Sequence, residues 1–414
     1  MLIQVQNTGE TGVNKDLSTH ELPINAWTDA RNIRFRDGLL ERAPGYLSIY
    51  GTPLQTAQHL VSVRLGDDPA LIYAGINKVH VVRFDIGTLL NVHTDITHAT
   101  PRTGVANEWT AAVLSGVPVL NSAASDHVPM SWDLNVANDF INLVNWPSTF
   151  RCKAFRSYKN ILFALNITKA GVRFPFMVKW SHPADPGTLP VSWDQTNPAF
   201  DAGELDIAEG EDHVIDGLQL RDSFIVYKER SIWRMDYSGG LLIFSVNKVL
   251  ATNGALNKNC VVEVNGRHVV FGDIDLMVHD GQSGESILDK KTRLWIFGNI
   301  DADNRARCFV AKNPYSNEVW FCFPEAGNVF CNLAVVYNYA DATTSIRELP
   351  VLHHAVVAPI NDGLFNFWDS DSETWNDDLS LWNSSDGPSP SAVLVGGSFD
   401  GLIYGFDLTS RYGV

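Results

Sequence analysis

The chain has 414 residues, with 31 Lys and Arg against 47 Asp and Glu for a formal net charge of −16, 45% hydrophobic residues and five cysteines. That apolar content excludes disorder of the whole chain, and Gly, Pro and Cys are too scarce for a collagen-like or disulfide-stapled scaffold. At about 150 residues per domain the length predicts two or three ordinary domains or one large all-β fold.

Residues 1–50 are poor in strand periodicity. They hold Arg31, Arg34, Arg36 and Arg42, interleaved with Asp29, Asp37 and Glu41. We read this segment as an extended N-terminal arm that packs on the body or on a neighbour. The four arginines are candidate interface residues, and local ion pairing is the simpler use of their charge. The opening residues MLIQVQNTGE lack the basic and apolar stretches of a secretory signal, which predicts assembly in a cytoplasm.

Residues 51–414 form the expected body, where apolar and β-branched runs alternate with short polar breaks. HLVSVRL (59–65), ALIYAG (70–75), KVHVVRF (78–84) and TLLNVH (88–93) make the first group of four. Looser groups cover roughly 109–132 and 152–193. The rhythm sharpens at HVIDGLQL (213–220), SFIVYKE (223–229), SIWRMDY (231–237) and LLIFSVNKVL (241–250). It repeats at CVVEV (260–264), RHVVFG (267–272), LMVHDG (276–281) and ESILD (285–289), where Asn265-Gly266 and Asp280-Gly281 are tight-turn signals. RCFVAKN (307–313), NEVWFCF (317–323), CNLAVVYNY (331–339) and TSIREL (344–349) follow, and AVLVGG (392–397) with GLIYGFDL (401–408) closes the series. Four strands every 35–50 residues or so predict an all-β fold, a β-propeller of six or seven four-stranded blades with long inserted loops. One blade built from both chain ends would close the ring.

Charge is localised. Asp201 to Asp216 and Asn361 to Pro390 each hold seven acidic residues and no Lys or Arg, and the rest of the chain is nearly balanced. Both runs read as solvated acidic loops, 201–216 and 361–390. A basic face for electrostatic grip on nucleic acid is not indicated. No run reaches the roughly 20 apolar residues of a membrane helix, so no membrane segment is expected.

Motifs for chemistry are sparse. Gly281-Gln282-Ser283-Gly284-Glu285 misses the nucleophile elbow at its last position. His353 and His354 are adjacent and point to opposite faces of a strand, which suits packing better than shared metal binding. Asp369-Ser370-Asp371-Ser372-Glu373 lacks the Gly and terminal Glu of a calcium loop. Cys152, Cys260, Cys308, Cys322 and Cys331 show no paired spacing and read as core residues. No catalytic residue, metal ligand or cofactor is therefore expected. Trp368, Trp375 and Trp382 fall seven residues apart among Asp, Ser and Asn, and are either loop anchors or an aromatic contact surface.

Several stretches resemble the nozzle, or tail tubular, proteins of short-tailed bacteriophages, a group overlapping tail-hub and packaged-DNA stabilisation proteins. They are Gly12-Val13-Asn14-Lys15, Asp29-Ala30-Arg31-Asn32 leading to Gly38, Glu41-Arg42-Ala43-Pro44-Gly45-Tyr46, Val178 to Pro186, Ser223 to Met235, and the Trp loop. Ala43 departs from the commoner form of its turn, which carries an Arg before the Pro-Gly. The resemblance implies a non-enzymatic virion tail protein. It would form a homohexameric ring below the portal and adaptor, continue the DNA-ejection channel, retain packaged double-stranded DNA and contact tail fibres or spikes. The alternative from the residues themselves is a glycan-binding or glycan-cleaving propeller that uses the three Trp as stacking platforms.

Overall fold

In the computed structural model, which describes residues 7–85, 87–88, 90–102, 108–123, 126–240, 243–288, 292–360 and 392–409, the short apolar runs become strands of antiparallel sheets. The N-terminal segment contributes β1 (Ile33–Arg36), β2 (Leu39–Arg42) and β3 (Gly45–Ile49). Blade 1 comprises β4 (His59–Leu65), β5 (Asp68–Ala74), β6 (Val79–Asp85) and β7 (Leu90–Asp95). Blade 2 comprises β8 (Trp109–Leu114), β9 (Val117–Ser122), β10 (Met130–Ser131) and β11 (Ile141–Asn142), and blade 3 comprises β12 (Phe150–Tyr158), β13 (Ile161–Lys169), β14 (Val172–Trp180) and β15 (Gly203–Asp206). Blade 4 is β16 (Val214–Leu220), β17 (Ser223–Lys228), β18 (Ile232–Tyr237) and β19 (Phe244–Leu250); blade 5 is β20 (Val261–Val264), β21 (Arg267–Phe271), β22 (Leu276–His279) and β23 (Gly284–Ser286).

A short helix, α1 (Arg293–Asn299), precedes β24 (Phe309–Asn313), β25 (Glu318–Phe323), β26 (Cys331–Asn338), β27 (Thr343–Pro359), β28 (Ala392–Ser398) and β29 (Ile403–Thr409). β27 serves two blades. Its first half pairs with β26 and finishes blade 6; from Leu352 onward it pairs with β28 and begins blade 7. Val351 sits between the halves with φ 54°. Blade 7 runs on through β29 to β3, with Ile403 opposite Ile49 and Phe406 opposite Tyr46. The chain therefore forms a seven-bladed β-propeller closed by a strand from its N-terminal end.

The first strands of the blades touch one another in a complete circuit, β4 to β8, β12, β16, β20, β24, the second half of β27 and back to β4. Between every two neighbouring blades lies one apolar cluster of buried side chains, such as Phe163, Val178, Phe224 and Val226 between blades 3 and 4. Each blade is thus buried on both faces. Inner strands such as β13, buried at its first seven positions, read as continuous apolar runs rather than alternating ones for that reason. Asn265-Gly266 takes the two positive φ values (50° and 73°) of a type I′ hairpin, as its sequence predicts. At Asp280-Gly281 only the glycine does, and Asp280 Oδ1 instead accepts the backbone N–H groups of Gln282 and Ser283 in a longer turn.

The expected arm over 1–50 ends earlier than its sequence suggests. Gly45–Ile49 belongs to the ring, and its partner strand lies at the far end of the chain, where local periodicity carries no signal. The residues before it strap blade 6. Val13 N–H donates to Thr344 O and Asn32 N–H to Ile346 O, while Asn32 Oδ1 accepts Glu348 N–H. Gly12 has φ 79°, and a Cβ there would lie 2.9 Å from the Thr344 backbone, so no other residue fits this approach. The Asp16 carboxylate accepts the Leu294 and Trp295 N–H groups at 2.8 and 3.0 Å, capping α1 from outside the helix.

Candidate functional site on the propeller axis

Residues from all seven blades converge near the axis. Arg156 in β12 lies at the centre of this hub. Its Nε and Nη2 donate to the two Asp216 oxygens of β16 at 2.8 and 2.7 Å, Nη2 also reaches Asn259 Oδ1 at 2.8 Å, and Nη1 reaches Ala111 O of β8 at 3.1 Å. Asn259, just before β20, has φ 60° and ties three more groups: its N–H donates to Asp216, its Nδ2 to Trp109 O, and its own carbonyl accepts Val310 N–H of β24. On the other side His59 of β4 and His354 of β27 lie with ring centroids 4.1 Å apart and planes tilted by 36°, and the Phe309 ring lies 5.8 Å from His354.

Both imidazoles are neutral. Burial, and then the charge of Arg156, hold His354 at about 3; burial, His354 and Arg156 hold His59 well below the usual range. Leu60 N–H donates to His354 Nδ1 at 3.3 Å, so that neutral ring carries its proton on Nε2. Arg156 and Asp216 are a desolvated ion pair held by further hydrogen bonds, the condition under which such a pair is tolerated in an interior.

A second network closes the ring. Arg34 of β1 is buried and donates to Glu318 of β25 and, at 2.7 Å, to Asp407 of β29. Asp407 also accepts Arg347 Nη1 at 3.1 Å, Asn313 Nδ2 at 2.7 Å and Ser316 Oγ at 2.8 Å. Arg347 donates its other nitrogen to Pro44 O beside the closing strand and lies 4.3 Å from the Trp320 ring centroid. Burial pushes the Asp407 carboxyl up, but Arg347 and Arg34 outweigh it and hold it below the ordinary range. Two arginines and two carboxylates therefore knit the N-terminal hairpin, blade 6 and blade 7 together.

The other candidate arginines divide. Arg31 pairs with Glu348 at 3.2 Å on a partly exposed surface, Arg36 approaches Asp37 at 3.9 Å, and Arg42 stands on β2, exposed at every position. Pairing is thus mostly long-range, not local to the turn. Trp368, Trp375 and Trp382, and the acidic run 361–390, lie outside the described residues.

The acidic run 201–216 is a solvated loop only in its middle, at residues 208–213, with strand on either side. Gly203–Asp206 is β15 and Val214 onward is β16, and four of its carboxylates are paired. Glu204 meets Lys169 and Lys179, Glu209 meets Lys248, Asp212 meets Lys228 and Asp216 meets Arg156. Lys179 and Lys228 are fully buried, so the acids are there to neutralise cations supplied by neighbouring strands. A surface cleft of about 420 Å³ opens beside Glu209, Glu211, Asp212 and Glu229.

All five cysteines are buried, as expected of core residues. His353 packs against Phe330, with ring centroids 4.3 Å apart, while His354 faces the axial group: the adjacent pair does split to opposite sides. Sequence reasoning missed the axial hub. The available signal was a polar side chain at or near the start of blade-opening strands, as at His59, Asp216 and Asn259, where an inner strand otherwise asks for apolar residues.

No protein-family model matches the chain, and no curated protein does. Solved structures similar to it include the WD40 β-propeller domain of Doa1 (10% identity, TM-score 0.42, 90% of this chain and 100% of that one). They also include the AfRom2 CNH domain (10%, TM-score 0.44, 87% and 98%) and a fungal alcohol oxidase of the AA5 family in complex with copper (10%, TM-score 0.43, 77% and 70%).

Proposed function

We propose that this chain is a structural subunit of a short-tailed phage virion, a tail nozzle protein that assembles as a homohexameric ring and continues the DNA-ejection channel. One observation supports this reading above the others. The described stretches that resemble nozzle proteins are mainly scaffold, and Ser223 to Met235 alone among those placed here also borders the surface cleft, through Glu229 to Ser231. Gly12-Val13 and Arg31-Asn32 fasten the strap to blade 6, Pro44-Gly45-Tyr46 lead into the closing strand, and Ser223 to Met235 spans the hairpin β17–β18. A likeness carried by the strap, the closing strand and a blade hairpin suits a protein selected for rigidity and assembly.

On this reading the exposed side chains of β2 and the partly exposed Arg31 are available to neighbours, adaptor or fibres, and the protein belongs in the virion tail after cytoplasmic assembly. Native mass spectrometry of the full chain tests it directly, with six copies as the expected mass. A stable monomer at every concentration, or a ring whose bore is strongly basic, would count decisively against it, because a basic lining retains duplex DNA by counterion release. The glycan reading rests on the three Trp outside the described residues, and no second observation favours it.

A further inference from the structure

The axial hub holds a feature that its structural role does not use. His354 carries its proton on Nε2, since Nδ1 accepts Leu60 N–H. His59 is only 3% exposed, yet its Nδ1 has no partner among the described residues. A buried polar atom without a partner costs about 1–3 kcal/mol, so the bare His59 Nδ1, set beside a second imidazole at the end of a strand circuit, calls for an explanation. His354 is also less completely enclosed than His59, keeping accessible surface among the converging inner strands.

The surrounding charge selects the kind of ligand. Arg156 acts on both imidazoles electrostatically, and Asp216, the carboxylate beside Arg156, is already occupied by Arg156 and the Asn259 N–H. A cation would meet the guanidinium and protons on nitrogen. An anion would meet donors and a favourable field. We propose that the propeller axis binds a small oxyanion, a carboxylate or a phosphate, which accepts the His354 Nε2–H and engages the His59 imidazole beside Arg156.

The two sources of that chemistry, carboxylate and phosphate, are separated by the probe. Thermal unfolding of the full chain is followed at pH 7 and fixed ionic strength while chloride is replaced by sodium acetate or by sodium phosphate. The expected result is a saturable rise of about 2 °C or more with at least one of them. His59→Phe and His354→Phe, which keep a ring in the pair and delete the nitrogens, are expected to abolish the rise. Because either variant risks misfolding, the wild-type protein labelled with 15N in its histidines provides an independent reading, in which the His354 and His59 ring nitrogens shift as the anion is added. Equal stabilisation of wild type and folded variants, the absence of any saturable effect, unmoved imidazole signals, or stabilisation by Zn²⁺ and not by either anion would each overturn the proposal.

Discussion

Arg34 illustrates how far a side chain's role departs from its neighbourhood in the sequence. Three arginines near it are at least partly exposed, yet Arg34 is enclosed by Glu318, Asp407 and the strands that carry them. Its position alternates with Phe35 across the hairpin, but a two-residue turn and four-residue strands give no hint that a carboxylate nearly 300 positions away waits for it. Replacing it with Met leaves Glu318 without its main counter-charge. Arg34→Met is expected to lower unfolding free energy by about 3–5 kcal/mol in urea titration, and Arg34→Lys to recover little of that, because an ammonium does not reproduce the forked contact. A loss under about 1 kcal/mol would show the cluster to be dispensable.

Tyr227 makes a comparable prediction between blades 4 and 5. His268 Nε2–H donates to Gln219 O, so its Nδ1 accepts the Tyr227 hydroxyl at 2.6 Å; His279 Nδ1 accepts Gly281 N–H, so its Nε2–H donates to the same hydroxyl at 2.7 Å. The tautomers are fixed in a single relay. Tyr227→Phe strands one donor and one acceptor, and about 2–4 kcal/mol of stability should be lost, read from the denaturant midpoint at unchanged slope.

At the scale of elements, the strap and closing strand decide whether the ring holds. β3 adds one edge strand, while residues 7–32 add backbone bonds to β27 and the cap on α1. Asp16→Ala removes that cap alone and is expected to cost about 1 kcal/mol, with faster amide exchange confined to Leu294 and its neighbours. Deletion of residues 1–49 takes away β3, Arg34 and the cap together. Blade 7 then ends on β29 with an unpaired edge, and limited proteolysis should begin in blades 6 and 7 before blades 2 to 4. Uniform cleavage around the ring would argue against the strap as its lock.

The element scale also shows what was legible. The runs at 59–65, 223–229, 317–323 and 392–397 fall on β4, β17, β25 and β28 with ends shifted by a residue or less. Each strand is short, bounded by turn residues and rich in β-branched or aromatic side chains, so period and composition coincide. β3 and the second half of β27 were not placed in blade 7, because one lies in the supposed arm and the other follows Val351 without a turn signal. The axial hub and the Arg34 cluster were not legible either. Both are assembled from residues whose spacing along the chain reflects blade length, and no local motif encodes that.

For the whole molecule, histidine burial governs the response to acid. His268 and His353 are held at about 4, and His279 and His354 at about 3, in each case chiefly by burial. In the unfolded chain each returns to about 6.5. Between these values the unfolded state binds more protons than the folded one, so stability is complete above about pH 6.5 and declines as the pH falls toward 4 and then 3. At pH 5 each histidine contributes a loss of up to about 2 kcal/mol. Calorimetry should therefore find a markedly lower unfolding temperature at pH 5 than at pH 7; a flat or rising profile would mean that these rings are not buried neutral.

Net charge shows most plainly what each level decided. The sequence alone settled that the surplus is acidic and concentrated, that the chain is all-β, and that its strands come in fours, since those follow from composition and from a period that every blade repeats. It did not settle where charge is exposed. Four carboxylates of the 201–216 run are matched to Lys169, Lys179, Lys228, Lys248 and Arg156 from other strands, and Asp407 to two distant arginines. Folded sheets make the matches within blades 3 and 4, and the closed ring makes those of Asp216 and Asp407, because burial raises the cost of a lone charge and only the tertiary structure brings a partner within hydrogen-bond distance.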